Sequence, residues 1–322
     1  MDDTSAIHRI LMNKEPFLFF AKAGERELIS SDLIDLSRFV ISNFELTPFS
    51  NSERGSEDLE ISKEEYILRL GKMIEELKSG EYEKAVFSRI KKVDRGNDPA
   101  LLEKLFMGLM GAYPLAHIFL FKSRENQLWI GASPELLFRK RGKKIETMAL
   151  AGTQKKVEGQ NLSEYTWGGK EIREHQVVAD FIISKLEKLG ITGIHRGEME
   201  TVEAGQVVHL KTKIEFETEV DKGILAETLH PTPAVGGFPR DRALLAIANH
   251  ELHRRNYYAG YIGVHYSDED SDYIVNLRCM RVFPSHFSLF VGGGINAQSD
   301  PESEWQETEL KSRTLIDVIA MA

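Results

Sequence analysis

FSLFVGGGINAQSDPESEWQETELK, residues Phe287–Lys311, joins a strand signal to a helix signal across a glycine run. Phe287 to Val291 has the length and apolarity of a buried strand. Gly292-Gly293-Gly294 follows, and ten residues beyond it a helical stretch carries Glu304, Glu307 and Lys311. Positions three and four apart share a helix face, so the two glutamates point the same way and Lys311 extends their stripe. The spacing recurs far upstream in Lys170-Glu171-Ile172-Arg173-Glu174-His175, where Glu171 and Glu174 share a face. Four carboxylates brought together repel unless a divalent cation sits among them. A few hard oxygen ligands, with room for water and an anionic substrate, suit Mg²⁺ better than zinc. That reading needs the two helices to meet; the alternative is two solvated helix faces.

Working outward, Tyr258 to Tyr266, Ser271 to Val282 and Phe287 to Val291 read as a meander of strands, and Arg240 to Arg254 as a helix. Val207 to Thr218 alternates as a strand, and a long helix is expected from about Gly169 to Leu189. Residues 115–121, 127–131, 135–140 and 144–150 have the length and punctuation of antiparallel strands. Ser62 and Glu65 form a capping-box signature for a helix that Ser79-Gly80 ends. Ala85 to Ile90 is strand-like, and a helix follows from about Pro99 to Met110. Phe17 to Phe20 is a buried-strand candidate, and the polar residues 48–60 read as a linker or exposed loop. Strands and helices do not alternate as βαβ units, so the fold class is α+β.

The 322 residues are 42% hydrophobic and 28% charged, as in a globular protein with a sizeable core. Against 50 acidic residues stand 41 Lys and Arg, a net charge of −9 that argues against a nucleic-acid or anionic-membrane surface. Cys279 is the single cysteine, which rules out an internal disulfide and a CxxC metal site. The apolar patch Pro16 to Ala21 is too short and wrongly flanked for a signal peptide or membrane span. A reducing, cytoplasmic location is expected.

Several motifs, in order, resemble the chorismate-utilising enzymes, which include the anthranilate, aminodeoxychorismate, salicylate and isochorismate synthases. They are Glu83 to Arg89 (EKAVFSR), Gly131 to Leu137 (GASPELL), Leu150-Ala151-Gly152-Thr153, Arg173-Glu174-His175, His230 to Gly237 (HPTPAVGG), Tyr258 to Gly263 (YAGYIG) and the stretch ending at Lys311. The resemblance covers roughly residues 64–322. It implies one large α+β chorismate-binding fold, with antiparallel sheets and helices packed around one deep active site. Residues 1–60 would be reduced N-terminal strands and a loop of the same fold, and 61–322 the catalytic domain. Family members of this type are commonly longer, and the Asn161 to Gly169 stretch departs from the family pattern, as a lid or a different entrance would.

The resemblance also implies roles. Glu174 and Glu307 would be the principal Mg²⁺ ligands, with Glu171 and Glu304 acting directly or through water. Arg278 and Lys311 match positions that pair with substrate carboxylate. Gly292 and Gly294 let backbone N–H groups approach an anion. Gly152, Thr153, His209 and Tyr258 match further pocket positions, although a turn residue, a core histidine and a strand aromatic would look the same. Lys84 resembles the base that activates water. A free lysine has a pKa of about 10.4, so that role requires burial or nearby positive charge. Glu135 resembles the acid that protonates the departing hydroxyl, which requires a carboxyl held neutral by an apolar site. Placed on opposite faces of the ring, the two suit a displacement in which water enters one side as hydroxide leaves.

Ala151 stands where aminodeoxychorismate synthases resemble one another in carrying a nucleophilic lysine. Ala234 stands where aminating members tend to carry threonine. The expected activity is therefore isochorismate synthase, an isomerase acting on chorismate. The alternative is salicylate synthase, which adds pyruvate elimination, and less favoured is an aminating anthranilate or aminodeoxychorismate synthase subunit. A non-catalytic binder would need neither Lys84 nor Glu135. A monomer without a glutaminase partner is expected. Isochorismate feeds menaquinone and siderophore pathways alike, with the reduced N-terminal region leaning toward menaquinone.

Overall fold

Hydrophobic strands in succession pair antiparallel, and two sheets result. The computed structural model describes residues 17–21, 28–30, 39–42 and 58–322. One sheet contains β1 (Phe17–Ala21), β2 (Leu28–Ser30), β4 (Lys84–Asp94), β5 (His117–Lys122), β6 (Leu128–Ser133), β11 (Gly237–Phe238), β14 (Cys279–Val282) and β15 (His286–Ile295). Its order is β11-β4-β15-β14-β6-β5-β1-β2. The other contains β3 (Phe39–Ser42), β7 (Leu136–Arg141), β8 (Lys144–Lys155), β9 (His195–Ala204), β10 (Val207–Glu217), β12 (Tyr261–His265) and β13 (Asp270–Val275). Its order is β3-β12-β13-β7-β8-β10-β9. The expected mixture of helices and antiparallel sheets is therefore present.

Six α-helices cover these sheets among the described residues: α1 (Lys63–Ser79), α2 (Leu101–Ala112), α3 (Gly169–Lys188), α4 (Lys222–Leu229), α5 (Arg240–His250) and α6 (Pro301–Ile319). Each buries an apolar stripe. Val178, Ile182 and Leu186 of α3 join Phe138 and Ile214 of the second sheet. Leu105 and Phe106 of α2 and Leu315 of α6 pack on Ile130 and Met280 of the first. Tyr66 and Leu70 of α1 meet Phe87 of β4 and Ile247 of α5. Half of the capping box expected at α1 forms: the Ser62 hydroxyl accepts from Glu65 N–H at 3.3 Å, while the Glu65 carboxylate accepts from Arg69 Nε at 2.6 Å, and Gly80 ends the helix at φ 84°. Leu18 and Phe20 of β1 are buried. Residues 1–16 and most of the stretch read as a linker, 48–57, lie outside the described residues.

Several elements differ from the sequence reading. Ser271 to Val282 is two strands, β13 and β14, in different sheets. Between them Asn276 donates to the Tyr257 carbonyl at 2.7 Å and Arg278 takes φ 47°, so the chain turns and crosses. The helix expected to reach Arg254 stops at His250, because Glu251 is extended and its carboxylate is drawn inward to Arg255. Strand β9 and helix α4 carry weak signals: β9 is mostly exposed and lacks alternation, and α4 is an eight-residue helix capped by Asp221.

Candidate active site

The chain crosses from the first sheet to the second through Pro134-Glu135, between β6 and β7, and returns through Asn276 to Arg278, between β13 and β14. Glu135 and Arg278 thus sit on the seam between the sheets. A cavity opens there, with Val86 and Val291 to Gly294 from the first sheet and Leu150 to Thr153 and His209 from the second. Glu135, Glu174, Ala234, Tyr258, Arg278 and Lys311 also line it. The structure therefore brings together residues that lie far apart in the sequence.

Glu135 is held by its backbone. Its N–H donates to the Ser133 hydroxyl at 3.3 Å, and its carbonyl accepts from Val275 N–H at 3.0 Å. Its side chain is buried, and burial pushes the carboxyl up to about 8 against the opposing pull of Lys84 and Lys311. Lys84, also buried, opens β4. Its ammonium lies 2.8 Å from Glu174, yet the angle is not that of a hydrogen bond, and no hydrogen-bond partner is found for it among the described residues. The contact is an ion pair, and Lys84 is not among the residues that line the cavity.

The anion-binding end is built on a β-bulge. Between His209 and Leu210 the register skips Gly152, which takes φ 79° and turns its carbonyl toward His209. A Cβ at Gly152 would lie 3.3 Å from the Glu171 backbone oxygen. Burial, then Arg278 and Lys311, pushes the His209 imidazole down to about 3, so it is neutral. Its Nδ1 lies 2.9 Å from the Gly152 carbonyl, an acceptor, so Nδ1 carries the proton and Nε2 accepts from the Arg278 guanidinium at 3.4 Å. Thr153 Oγ1 lies 3.2 Å from Nδ1. Arg278 also donates to Thr314 Oγ1 at 3.0 Å, and burial lowers its pKa to about 10, which leaves it charged. Lys311 donates to the Gly292 carbonyl at 2.9 Å and to Glu307 at 2.6 Å. Tyr258 lies over the glycine run: a Cβ at Gly292 would be 2.9 Å from its hydroxyl.

Helices α3 and α6 both present carboxylates to the glycine run of β15. A Cβ added at Gly293 would lie 3.1 Å from Glu304 and 3.3 Å from Glu307, and one at Gly294 would collide with Glu174. Gly293 and Gly294, successive residues of β15, each leave space that a side chain would fill, the first beside Glu304 and Glu307 and the second beside Glu174. The donor set is oxygen only, as a hard divalent cation requires. Each carboxylate is paired with a lysine: Lys84 with Glu174 at 2.8 Å, Lys170 with Glu304 at 3.0 Å, and Lys311 with Glu307 at 2.6 Å. In that paired arrangement no three acidic, histidine or cysteine side chains are drawn together as a metal cluster among the described residues. Burial, then Glu307, raises the Glu304 carboxyl to about 7, and Lys170 opposes the rise. Glu171 differs from the others, since its carboxylate lies near Gly168, where a Cβ would be 2.8 Å from it. The residues fit an Mg²⁺ ion in donor chemistry, with Glu171 the outlying member.

The sequence does not single out every contributor. Arg255 is buried and donates to Glu251 at 2.9 and 2.7 Å, to the Val235 carbonyl at 2.9 Å and to the Val86 carbonyl at 2.6 Å. It thereby ties two strips of cavity wall to the end of α5. Glu251 also accepts from the Ser88 backbone and hydroxyl, both at 2.7 Å. A Glu and an Arg four apart have the spacing of a helix surface pair; only their burial shows otherwise. The stretch that departs from the family pattern holds a short 3₁₀ turn, Leu162–Glu164, and Trp167 donates to Thr201 at 3.0 Å.

The family described as chorismate binding enzyme matches residues 21–320. The Escherichia coli K12 isochorismate synthase EntC is 28% identical over 247 residues, which are 74% of this chain and 63% of EntC. The chain thus spans less than two thirds of that relative's length. The solved structure of MenF, the menaquinone-specific isochorismate synthase from Escherichia coli, has a TM-score of 0.72 and 27% identity, covering 80% of this chain and 61% of MenF. DhbC from Bacillus anthracis, at 23% identity, shares the fold with a TM-score of 0.76 over 99% of this chain and 89% of its own. The family match spans nearly the whole sequence, and this chain belongs to the chorismate binding enzymes.

Proposed function

We propose that the protein is an isochorismate synthase, converting chorismate to isochorismate with Mg²⁺. The observation that carries this reading is the buried Glu135 carboxyl, its pKa raised to about 8 by burial, in a cavity that Arg278 and Lys311 also line. Lys84, whose ammonium is ion-paired with Glu174 here, acts as the base once it has given up that proton to solvent; as the amine it takes a proton from water as the water's oxygen bonds to C2 of the ring. Glu135 gives its proton to the C4 hydroxyl, which leaves as water while the ring double bonds shift. One water enters and one departs, so the product is an isomer. Arg278, oriented by neutral His209, and Lys311 hold substrate carboxylate.

Glu174, Glu307 and Glu304 would hold the Mg²⁺, with Glu171 contributing through water, and the bound ion supplies positive charge for the ring carboxylate. Ala151 offers no amine nucleophile, and Ala234 leaves a small wall suited to water. The reading is of a cytoplasmic enzyme, its catalytic part in residues 61–322, acting as a monomer without a glutaminase. Cys279 is buried and free, in keeping with a reducing compartment.

Proton NMR of the protein with chorismate and Mg²⁺, without ammonia or glutamine, tests this. Isochorismate signals that a chelator abolishes are expected. Salicylate with stoichiometric pyruvate would make it a salicylate synthase, and no conversion would refute the assignment. Lys84→Ala should lose turnover while largely keeping chorismate affinity.

A further inference from the structure

Lys170 has no part in the chemistry above, yet it reaches the carboxylate group. It stands in the first turn of α3 and extends across to Glu304 in the first turn of α6, 3.0 Å away. Its side chain is 29% exposed and that of Glu304 only 4%, so the lysine can leave for solvent whereas the glutamate cannot. Lys170 is thus seated on the carboxylate that stands with Glu307 beside Gly293. Lys84 and Lys311 pair with Glu174 and Glu307, but Lys311 also donates to the Gly292 carbonyl, and Lys84 is the proposed base.

We propose that Lys170 is an internal counter-cation of the metal-binding carboxylates, competing with the divalent ion for Glu304 and so weakening its binding. The inference rests on reading those carboxylates as Mg²⁺ ligands. Two cations sharing one carboxylate repel, and the entering ion must share or displace the ammonium. The flexible four-carbon stem of lysine lets it withdraw without moving either helix. Such a device keeps Glu304 and Glu307, three residues apart, from repelling each other when no divalent ion lies between them.

Lys170→Met keeps most of the stem and removes the charge. Titration calorimetry of Mg²⁺ into each protein without substrate reads the effect, with thermal melts at zero and saturating Mg²⁺. The variant should bind Mg²⁺ roughly tenfold more tightly, melt lower without the ion, and gain more from it. Lys170→Arg should stay close to the parent. If the variant folds and binds Mg²⁺ equally or more weakly, Lys170 is a strut between helices and the proposal is overturned. If neither protein binds Mg²⁺, the metal reading fails and takes this inference with it. Binding by the parent alone overturns only the inference.

Discussion

Replacing Glu135 with glutamine separates a neutral carboxyl from a charged one at nearly constant shape. The folded-state pKa, about 8, is above the ordinary 4.5. A carboxyl raised in this way binds more protons in the folded state than in the unfolded state. Its burial is therefore harmless below pH 4.5, and stability is lost as pH rises through the window toward 8. Each unit is worth about 1.36 kcal/mol, so the full window is about 5 kcal/mol, with about 2 kcal/mol of it between about pH 6 and 8. Glutamine cannot ionise and escapes this loss. Urea unfolding at about pH 6, 7 and 8 and fixed ionic strength should show the variant gaining on the parent by about 2 kcal/mol, with an unchanged denaturant slope. Turnover should fall about 10²- to 10⁴-fold, the range for loss of a general acid. In the parent, turnover should decline above about pH 8 as the acid loses its proton. Parallel stability curves would refute the buried neutral carboxyl, and near-parental turnover would refute its role as acid.

His209→Ala should lower kcat/KM about 5- to 100-fold, mainly through KM, because Arg278 loses an acceptor; initial rates over a chorismate series read this. The parental imidazole, depressed to about 3, resists protonation when folded. Its contribution to stability is thus full above pH 6.5 and falls by about 1.4 kcal/mol per unit as pH drops toward 3, a loss that His209→Ala should remove from acid unfolding curves. Gly152→Ala should cost about 1–3 kcal/mol through its left-handed φ and tight contact with Glu171, read as a lower melting temperature. Arg255→Met leaves Glu251 charged and buried, and should cost about 3–5 kcal/mol in urea unfolding, with Arg255→Met/Glu251→Gln recovering part of it.

The local signals in this sequence are legible because they depend on neighbours in the chain. The Ser62 cap, the long helix carrying Glu171 and Glu174, and the strand ahead of the glycine run follow from spacing and residue type. So does the face shared by Glu304 and Glu307. The family resemblance also points to Glu135, Gly152, Thr153, Glu174, His209, Ala234, Tyr258, Arg278, Gly292, Gly294 and Lys311, which line the cavity, whereas Lys84, Glu171, Glu304 and Glu307 are not among its lining residues. Less visible is the break at Asn276 to Arg278, since an apolar run does not announce that its halves pair in different sheets.

Sequence by itself determined which side chains carry charge, which can titrate, and which share a helix face. Tertiary structure alone decided their states. Glu135 is an ordinary carboxyl until the seam between two sheets removes its water. Lys170 and Glu304 are separate surface charges until α3 and α6 meet beside Gly293. Desolvation and charge pairing depend on distance in space, and for these residues that distance is set by strand order rather than by position along the chain.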